Sequence, residues 1–365
     1  MHAFLSFLSA CEALRSLEGP QQTWPPTSRK LPLEGDCVSN QRGFKTLVRS
    51  VDLQGFGVHT SPVDLLVPAQ AMRSRGKDAH FHVWSGSVPQ GAMIRLSKEL
   101  LLSGPELTVV QYCGAQSKVE FLLDEHARAV RAERDTLAML GLDEEPVIDD
   151  PRARDSIERL VAAVVLACEF AGTYRLGVGG EETQYHMAPL MDEESFGRVI
   201  SGVEGTANKT RAAEVAGLFY EGSASPMETA LVLMLTLPVN FGGLGLPRAE
   251  LNKSVDVSAV RGTLSDRDEV TPDLMWRWAR VAVEYDSAEF HEQLGSRQLE
   301  EDARRSNILT TQGYRVLHVT PGVVRTVNDV ELFARQIAHL LGVTLKAPSE
   351  IQALRRRRLF TLLMS

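Results

Sequence analysis

The 365-residue sequence lacks several features that mark particular protein classes. Its four cysteines, Cys11, Cys37, Cys113 and Cys168, include no C-x-x-C pair and no histidine at zinc-finger spacing, which predicts separate thiols in a reducing compartment. No apolar run approaches the roughly 20 residues of a membrane-spanning helix. The apolar start has no Lys or Arg before Arg15, which argues against a secretory signal peptide. We therefore expect a cytoplasmic protein with no membrane partner.

Two common catalytic motifs are also missing. The chain has no G-x-S-x-G nucleophile elbow and no Walker motif. The segment Gly242-Gly243-Leu244-Gly245 does not have the G-x-G-x-x-G order and follows no predicted strand, so it gives no nucleotide-binding signal. Hydrolases that depend on these motifs are thereby disfavoured.

Charge is unevenly distributed along the chain. The whole sequence has 39 basic and 47 acidic residues and a net charge of −8, which disfavours a surface that is basic throughout. Residues 1–252 hold 23 basic and 32 acidic side chains, whereas residues 253–365 hold 16 and 15. The C-terminal third is therefore the part better suited to face a polyanion such as DNA.

The order of predicted elements indicates an α/β (α+β) chain. Residues 1–211 are predicted to form an α+β module, with a helix over Phe4–Leu17 and short strands farther along. Residues 212–345 are predicted to form a second module, in which helices surround a small set of strands. Residues 346–365 are predicted to be a separate basic tail.

A helix start at Ser225 is the clearest local signal. Ser225 suits the N-cap, Pro226 the first helical position and Glu228 the third, and an apolar run follows. Glu228 has two interpretations, as part of a capping box or as a functional carboxylate, and one side chain could serve both roles.

Two predicted strands, Pro272–Arg277 and Arg280–Tyr285, form a hairpin with a short turn. A turn centred between them places Asp273 opposite Glu284, with Cβ atoms about 4.5 to 5.5 Å apart. Because side chains alternate along a strand, Asp286 shares the face of Glu284. One face of the hairpin is then apolar and the other collects three carboxylates.

Like charges that face each other across a strand pair are destabilising unless a positive charge compensates them. A hard divalent cation with oxygen ligands provides such compensation. We therefore predict that Asp273, Glu284 and Asp286 bind Mg²⁺ or Mn²⁺. The alternative is a set of ordinary strand-edge carboxylates.

The same segment resembles a known enzyme group. The similarity covers about residues 223–342, and the motifs that carry it are Thr271-Pro272-Asp273, Glu284-Tyr285-Asp286, His291, Asp302-x-Arg304 and Gly313-Tyr314-Arg315-Val316-Leu317. This order and spacing resemble the PD-(D/E)XK nuclease superfamily, and within it the branch similar to very-short-patch-repair endonucleases. The resemblance implies a restriction-endonuclease-like mixed sheet flanked by helices.

The resemblance also implies roles for individual residues. Asp273 matches the PD aspartate, Glu284 the acidic residue of the second motif, and Glu228 the helix carboxylate that leans into the site. His291 is a proton shuttle or a further ligand, or simply a packing histidine. Asp286 stands where the family usually has Lys, and a carboxylate there cannot supply that positive charge.

Basic side chains offer contacts to DNA. Arg304 and Arg305 are predicted nucleic-acid contacts, although they could instead pair with Glu300 and Glu301 at helical spacing. The four arginines at 355–358 are either a solvated terminus or a phosphate clamp.

The N-terminal module gives weaker signals. Its strand at Val63–Val67, its strand bearing His82 and its helix entry at Ser103–Thr108 resemble AbiEi-type abortive-infection antitoxins, which implies recognition of DNA or a partner protein. His80 and His82 alternate on one face and suit a metal, but the sequence offers no third ligand.

Two functional hypotheses follow. The first is a Mg²⁺-dependent or Mn²⁺-dependent DNA endonuclease in a defence, repair or mobile-element setting, with a homodimer as an expected assembly. The second is a non-catalytic, antitoxin-type regulator that binds DNA or a partner protein through a degenerate nuclease fold.

Overall fold

The computed structural model describes residues 2–19, 22–31, 37–114, 150–258, 268–286 and 296–364. The chain divides into two compact units. The first comprises Met1–Leu122 with Glu158–Glu221, and the second comprises Leu123–Ile157 with Gly222–Ser365. Helices combine with mixed sheets, which confirms the predicted α/β (α+β) class.

A seven-stranded mixed sheet forms the centre of the first unit. Strands before Glu221 are β1 (Ala3–Leu5), β2 (Thr23–Trp24), β3 (Arg29–Lys30), β4 (Val63–Val67), β5 (Ser74–Arg75), β6 (Ala79–Val83), β7 (Ser87–Val88), β8 (Met93–Arg95), β9 (Leu100–Ser103), β10 (Tyr174–Arg175) and β11 (Gln184–Tyr185). The sheet order is β2-β8-β9-β1-β4-β6-β5. Within it β1 runs parallel to β9, and β4 runs parallel to β6.

Helices accompany this sheet. They are α1 (Phe7–Arg15), α2 (Gln41–Leu47), α3 (Pro105–Tyr112), α4 (Pro151–Phe170), α5 (Glu193–Gly202) and α6 (Thr206–Ala216). The predicted strands at Val63–Val67 and His80–Trp84 and the predicted helix entry before Pro105 correspond to β4, β6 and α3.

The predicted single helix over Phe4–Leu17 is wrong at its start. Ala3–Leu5 is strand β1, inserted between β4 and β9, and the helix begins only at Phe7. The side chains of β1 are completely buried. A short, continuous apolar run fits a buried strand as well as a helix, so hydrophobic periodicity could not separate the two.

The predicted domain boundary at residue 211 also needs correction. The division falls between Glu221 and Gly222, because α6 contacts α3 and α5 and so belongs to the first unit. Residue 211 lies inside that helix.

The second unit is built on a four-stranded mixed sheet. Its described elements are α7 (Pro226–Thr236), β12 (Glu250–Leu251), β13 (Val255–Asp256), β14 (Glu269–Val270), β15 (Leu274–Trp276), β16 (Val281–Tyr285), α8 (Ser296–Thr311), β17 (Arg315–Val319), α9 (Val327–Leu341) and α10 (Glu350–Met364). The sheet order is β12-β15-β16-β17, with β16 and β17 parallel. A parallel pair needs a crossover connection, and α8 lies in it.

Both faces of the β15–β16 hairpin are buried, which corrects the expectation of one apolar and one carboxylate face. Met275 and Ala282 pack in one cluster with Ile308 and Leu309 of α8. Val283, on the opposite face, is also inaccessible, and α9 contacts β16. Carboxylates are therefore confined to one end of the hairpin.

The predicted basic tail is a folded helix. α10 contacts α7, and its Leu354 is buried. Arg356 is 3% exposed and donates to Glu331 at 2.6 Å. Arg355 donates to the Asn240 carbonyl at 3.0 Å. Arg355 and Arg356 thus contact different parts of the unit, which does not fit a clamp formed by all four arginines.

None of the described helices combines the length and the apolar character that crossing a bilayer requires.

Candidate active site in the second unit

The hairpin register sets the site. Leu274 pairs with Val283 and Trp276 with Val281, which is the register predicted from the turn. One step farther along, Asp273 faces Glu284. Backbone pairing of the two strands ends there. The Tyr285 backbone N–H donates instead to Oδ2 of the Asp273 side chain at 2.6 Å.

Glu284 is the most deeply buried of the carboxylates. It is 1% exposed, on a strand that is inaccessible along most of its length. Its Oε2 accepts from Nη2 of Arg305 at 2.6 Å. Its Oε1 is buried and has no hydrogen-bond partner among the described residues. A buried carboxylate oxygen without a partner is costly, so this atom is able to accept a hydrogen bond or to bind a cation.

Arg305 provides the positive charge of the cluster. It lies on α8 and reaches Glu284 on the neighbouring strand. The role of Arg305 as a nucleic-acid contact stays a prediction, and the structure places its guanidinium beside the carboxylate site. Arg304, one position earlier, is exposed on the same helix.

Glu228 takes part in capping α7, and its role as a functional carboxylate stays a prediction. Ser225 caps α7 by accepting the Glu228 backbone N–H at 3.1 Å, and its hydroxyl donates to Glu228 Oε1 at 3.1 Å. Glu228 Oε2 accepts from the Ala224 backbone N–H at 3.0 Å and from Asn252 Nδ2 at 2.5 Å. The negative charge of Glu228 also raises the pKa of Asp273.

Asp286 lies at the open end of the site. Its backbone N–H donates to the Val319 carbonyl at 2.8 Å, which extends the β16–β17 pairing. Its Oδ2 lies 3.0 Å from Nδ1 of His318, and Nε2 of that histidine lies 3.1 Å from Ser306 Oγ. His318 pairs with Glu284 in the parallel register.

His318 was not identified from the sequence. The strand that carries it was predicted, but no short turn fixes the register of a parallel pair, so the neighbour of His318 could not be deduced. The local signal was a histidine that follows the apolar residues Val316 and Leu317 in the strand Arg315–Val319.

Burial and like charges disturb the ionisation of the site. Burial, with the charge of Glu228, raises the pKa of Asp273 to about 7. Burial, with the charge of Asp273, raises the pKa of Glu284 to about 8, although the Arg305 guanidinium opposes the increase. Burial also raises the pKa of Glu228. Such shifts are typical of functional sites, because ordinary ion pairs lower carboxylate pKa values.

The residues fit a divalent cation in part. The unpartnered Glu284 Oε1 and the crowded negative charge both favour one. No three described carboxylates of this unit, however, bring their oxygens within 4.8 Å of one another. Mg²⁺ commonly uses one or two carboxylates and completes its coordination with water and substrate phosphates. Asp273 and Glu284 alone meet that requirement, and Asp286 is associated with His318 instead.

His291 lies outside the described residues, so its predicted role stays a prediction. Comparison of the chain with protein-family models, with curated proteins and with solved structures finds no match.

Proposed function

We propose that the second unit is a metal-dependent nuclease that hydrolyses phosphodiester bonds of DNA. One observation carries the proposal. Glu284 is buried, with one oxygen held by Arg305 and the other left without a partner, beside the facing carboxylate of Asp273. The large majority of buried side-chain oxygens in proteins are hydrogen-bonded, so an unpartnered one is a candidate ligand atom.

In this proposal Asp273 and Glu284 hold Mg²⁺ or Mn²⁺. When bound, the metal acts as a Lewis acid on the phosphate and lowers the pKa of a coordinated water. Tyr285 fixes the Asp273 carboxylate through its backbone N–H, and Arg305 fixes that of Glu284. The ligand oxygens are thereby oriented before substrate arrives.

Arg305 supplies the positive charge that the sequence lacks at position 286. Asp286 occupies the position of the usual Lys and lacks its charge, but Arg305 brings a permanent cation to Glu284 from α8. A guanidinium presents a fork of donors that matches phosphate oxygens. Arg305 can therefore bind the non-bridging oxygens of the scissile phosphate and stabilise the charge that develops there.

His318 is suited to hold a proton. Its Nδ1 faces Asp286 at 3.0 Å, which orients the ring, and its side chain is 44% exposed. A histidine fixed in this way can accept a proton from the attacking water or give one to the leaving oxygen.

Conversion of supercoiled plasmid to nicked or linear DNA tests the proposal. We expect cleavage with Mg²⁺ or Mn²⁺ and none with chelator. Glu284→Gln should reduce the rate at least about 1,000-fold, since several kcal/mol of charge stabilisation are lost. Glu269→Gln changes an exposed carboxylate of the same unit and should leave the rate unchanged. Metal-independent cleavage that survives Glu284→Gln would refute the proposal.

A second candidate is the non-catalytic regulator. The observations that favour it are Asp286 in the Lys position and the absence of a compact three-carboxylate set among the described residues. Calorimetric titration with Mn²⁺ separates the two candidates. Binding that disappears in Asp273→Asn supports the nuclease, whereas DNA binding with no Mn²⁺ uptake and no cleavage supports the regulator.

A further inference from the structure

A second group of metal-ligating side chains lies in the first unit, independent of the proposed nuclease site. Strands β4 and β6 are parallel, and Asp64 pairs directly with His80. His82 lies two residues farther along β6. Because alternate residues of a strand share a face, all three side chains project from the same face of the sheet. The sequence showed the two histidines, and the parallel pairing adds the carboxylate.

The ligand atoms converge. Asp64 Oδ1 lies 2.7 Å from His82 Nε2 and 3.7 Å from His80 Nδ1. One ligand atom from each of the three residues lies within 4.8 Å of the other two. Nitrogen and oxygen atoms that each bind zinc at about 2.0 to 2.2 Å must lie in this range of mutual distances.

Neighbouring groups hold the ligands in place. The Asp64 backbone N–H donates to Ser9 Oγ at 2.9 Å, and its carbonyl accepts from the Ser6 backbone N–H at 3.0 Å. The ring of Phe7 lies 4.3 Å from that of His82, centroid to centroid. The Asp64 side chain is only 12% exposed and that of His82 15% exposed. Fixed, half-buried ligands with some solvent access are what a preformed metal site requires.

We propose that Asp64, His80 and His82 form a binding site for Zn²⁺ or a similar borderline transition metal. Imidazole nitrogen suits such metals better than Mg²⁺, which prefers oxygen alone. Three protein ligands leave the fourth tetrahedral position to water or substrate, the pattern of catalytic zinc sites. On binding, the metal would take the place of the hydrogen bond between His82 Nε2 and Asp64 Oδ1, with the neutral imidazole carrying its proton on Nδ1.

Titration of the chelator-treated, full-length protein with Co²⁺ tests this site, because Co²⁺ in a Zn²⁺ site gives visible d–d absorption. The titration uses the Asp273→Asn background, so that the second unit does not contribute. We expect one equivalent of Co²⁺, displaced by Zn²⁺. His82→Ala and Asp64→Asn should each weaken binding at least about 100-fold, beyond the usual cost of losing a supporting contact.

His186→Asn is the matched control. His186 is an exposed histidine of the same unit with a positive φ of 59°, which asparagine tolerates. It should bind Co²⁺ as strongly as the parent protein. His80→Gln gives a second, milder ligand variant, and circular dichroism verifies that each variant is folded.

Three outcomes would overturn the proposal. The parent protein could bind no Co²⁺, or folded His82→Ala and His80→Gln could both bind it with unchanged affinity. Absorption typical of thiolate ligation would also refute it, since the described cysteines are all buried away from solvent and none belongs to the group.

Discussion

Each unit contains an Arg–Glu pair whose glutamate is buried, and the two pairs differ in how many hydrogen bonds they form. In the first unit, Arg15 Nε donates to Glu169 Oε1 at 2.7 Å and its Nη2 donates to Oε2 at 2.6 Å. The Leu176 backbone N–H adds a third bond to Oε1 at 3.1 Å. In the second unit, Arg305 meets only one oxygen of Glu284, and the other oxygen has no described partner.

This difference separates a complete ion pair from the incomplete pair of the proposed active site. A bidentate pair with every oxygen satisfied is closed to further ligands. An incomplete pair beside further carboxylates keeps one oxygen available. Burial, with the charge of Asp273, also raises the pKa of Glu284 to about 8.

Breaking the complete Arg15–Glu169 pair should produce the largest change in stability. Glu169→Ala leaves the buried Arg15 charge without its partner and should cost about 3 to 5 kcal/mol of unfolding free energy. Hydrogen exchange of the α1 backbone, followed by mass spectrometry, measures this loss in the first unit. Glu194→Ala removes an exposed pair with Arg198 and should change stability by less than about 1 kcal/mol. Equal effects of the two variants would contradict the distinction.

Breaking the incomplete Arg305–Glu284 pair should change activity more than stability. Arg305→Leu removes the cation beside Glu284 and should lower the plasmid cleavage rate about 100-fold, the usual cost of one charge-stabilising donor. Arg305→Lys should recover part of the rate, because the charge returns without the fork. Arg304→Leu, at an exposed position of the same helix, is the control. Complete loss of plasmid cleavage in Arg304→Leu would show that Arg305 is not the cation on which the activity depends.

The crowded carboxylates should make the metal-free second unit less stable as pH rises. Asp273 has a pKa of about 7 in the folded protein, above its ordinary value of 3.8. The native state therefore binds more protons than the unfolded state between these values, and its stability falls as pH increases through them. Asp273→Asn should remove that contribution and raise the unfolding free energy by about 1 to 2 kcal/mol at pH 8.

Urea unfolding at pH 5 and pH 8, with chelator present, measures the effect. Fluorescence of Trp276, which lies in the hairpin, gives a local signal within the second unit when Trp24, Trp84 and Trp278 are replaced by Phe in every protein compared. We expect Asp273→Asn to have a higher unfolding free energy than the parent protein at pH 8, and a smaller advantage at pH 5. A loss of stability at pH 8 would show that Asp273 is structural.

His318 should give the smallest effect on folding. It is nearly half exposed, so His318→Ala should alter stability by less than about 0.5 kcal/mol. The variant should nevertheless lose one limb of the pH–rate profile of the parent protein, because the group that carries the proton is gone. A pH profile identical to that of the parent protein would remove His318 from the proposed mechanism.

The features predicted correctly from the sequence are those set by residues close together in the chain. The turn between Trp276 and Val281 fixes an antiparallel register, so the facing pair Asp273 and Glu284 followed from counting. The cap at Ser225 likewise fixed the start of α7. Both depend on residues close together in the chain, where propensity and sterics decide the outcome.

The remaining site residues depend on long-range packing. Arg305 and His318 reach the site through the β16–α8–β17 crossover, and Asp64 reaches His80 through another parallel pairing. No local pattern sets the register of such strands. The same limit explains why the arginines at 355–358 seemed to form a tail, since the contact of α10 with α7 crosses more than a hundred residues.

The docking of α10 also constrains how this sequence can evolve. Gly242 has φ +98°, and a Cβ atom there would lie 2.4 Å from the carbonyl oxygen of Arg355. Every other residue type would both strain the turn and push the last helix away from it. We therefore expect position 242 to tolerate no residue other than glycine, although it belongs to neither proposed metal site.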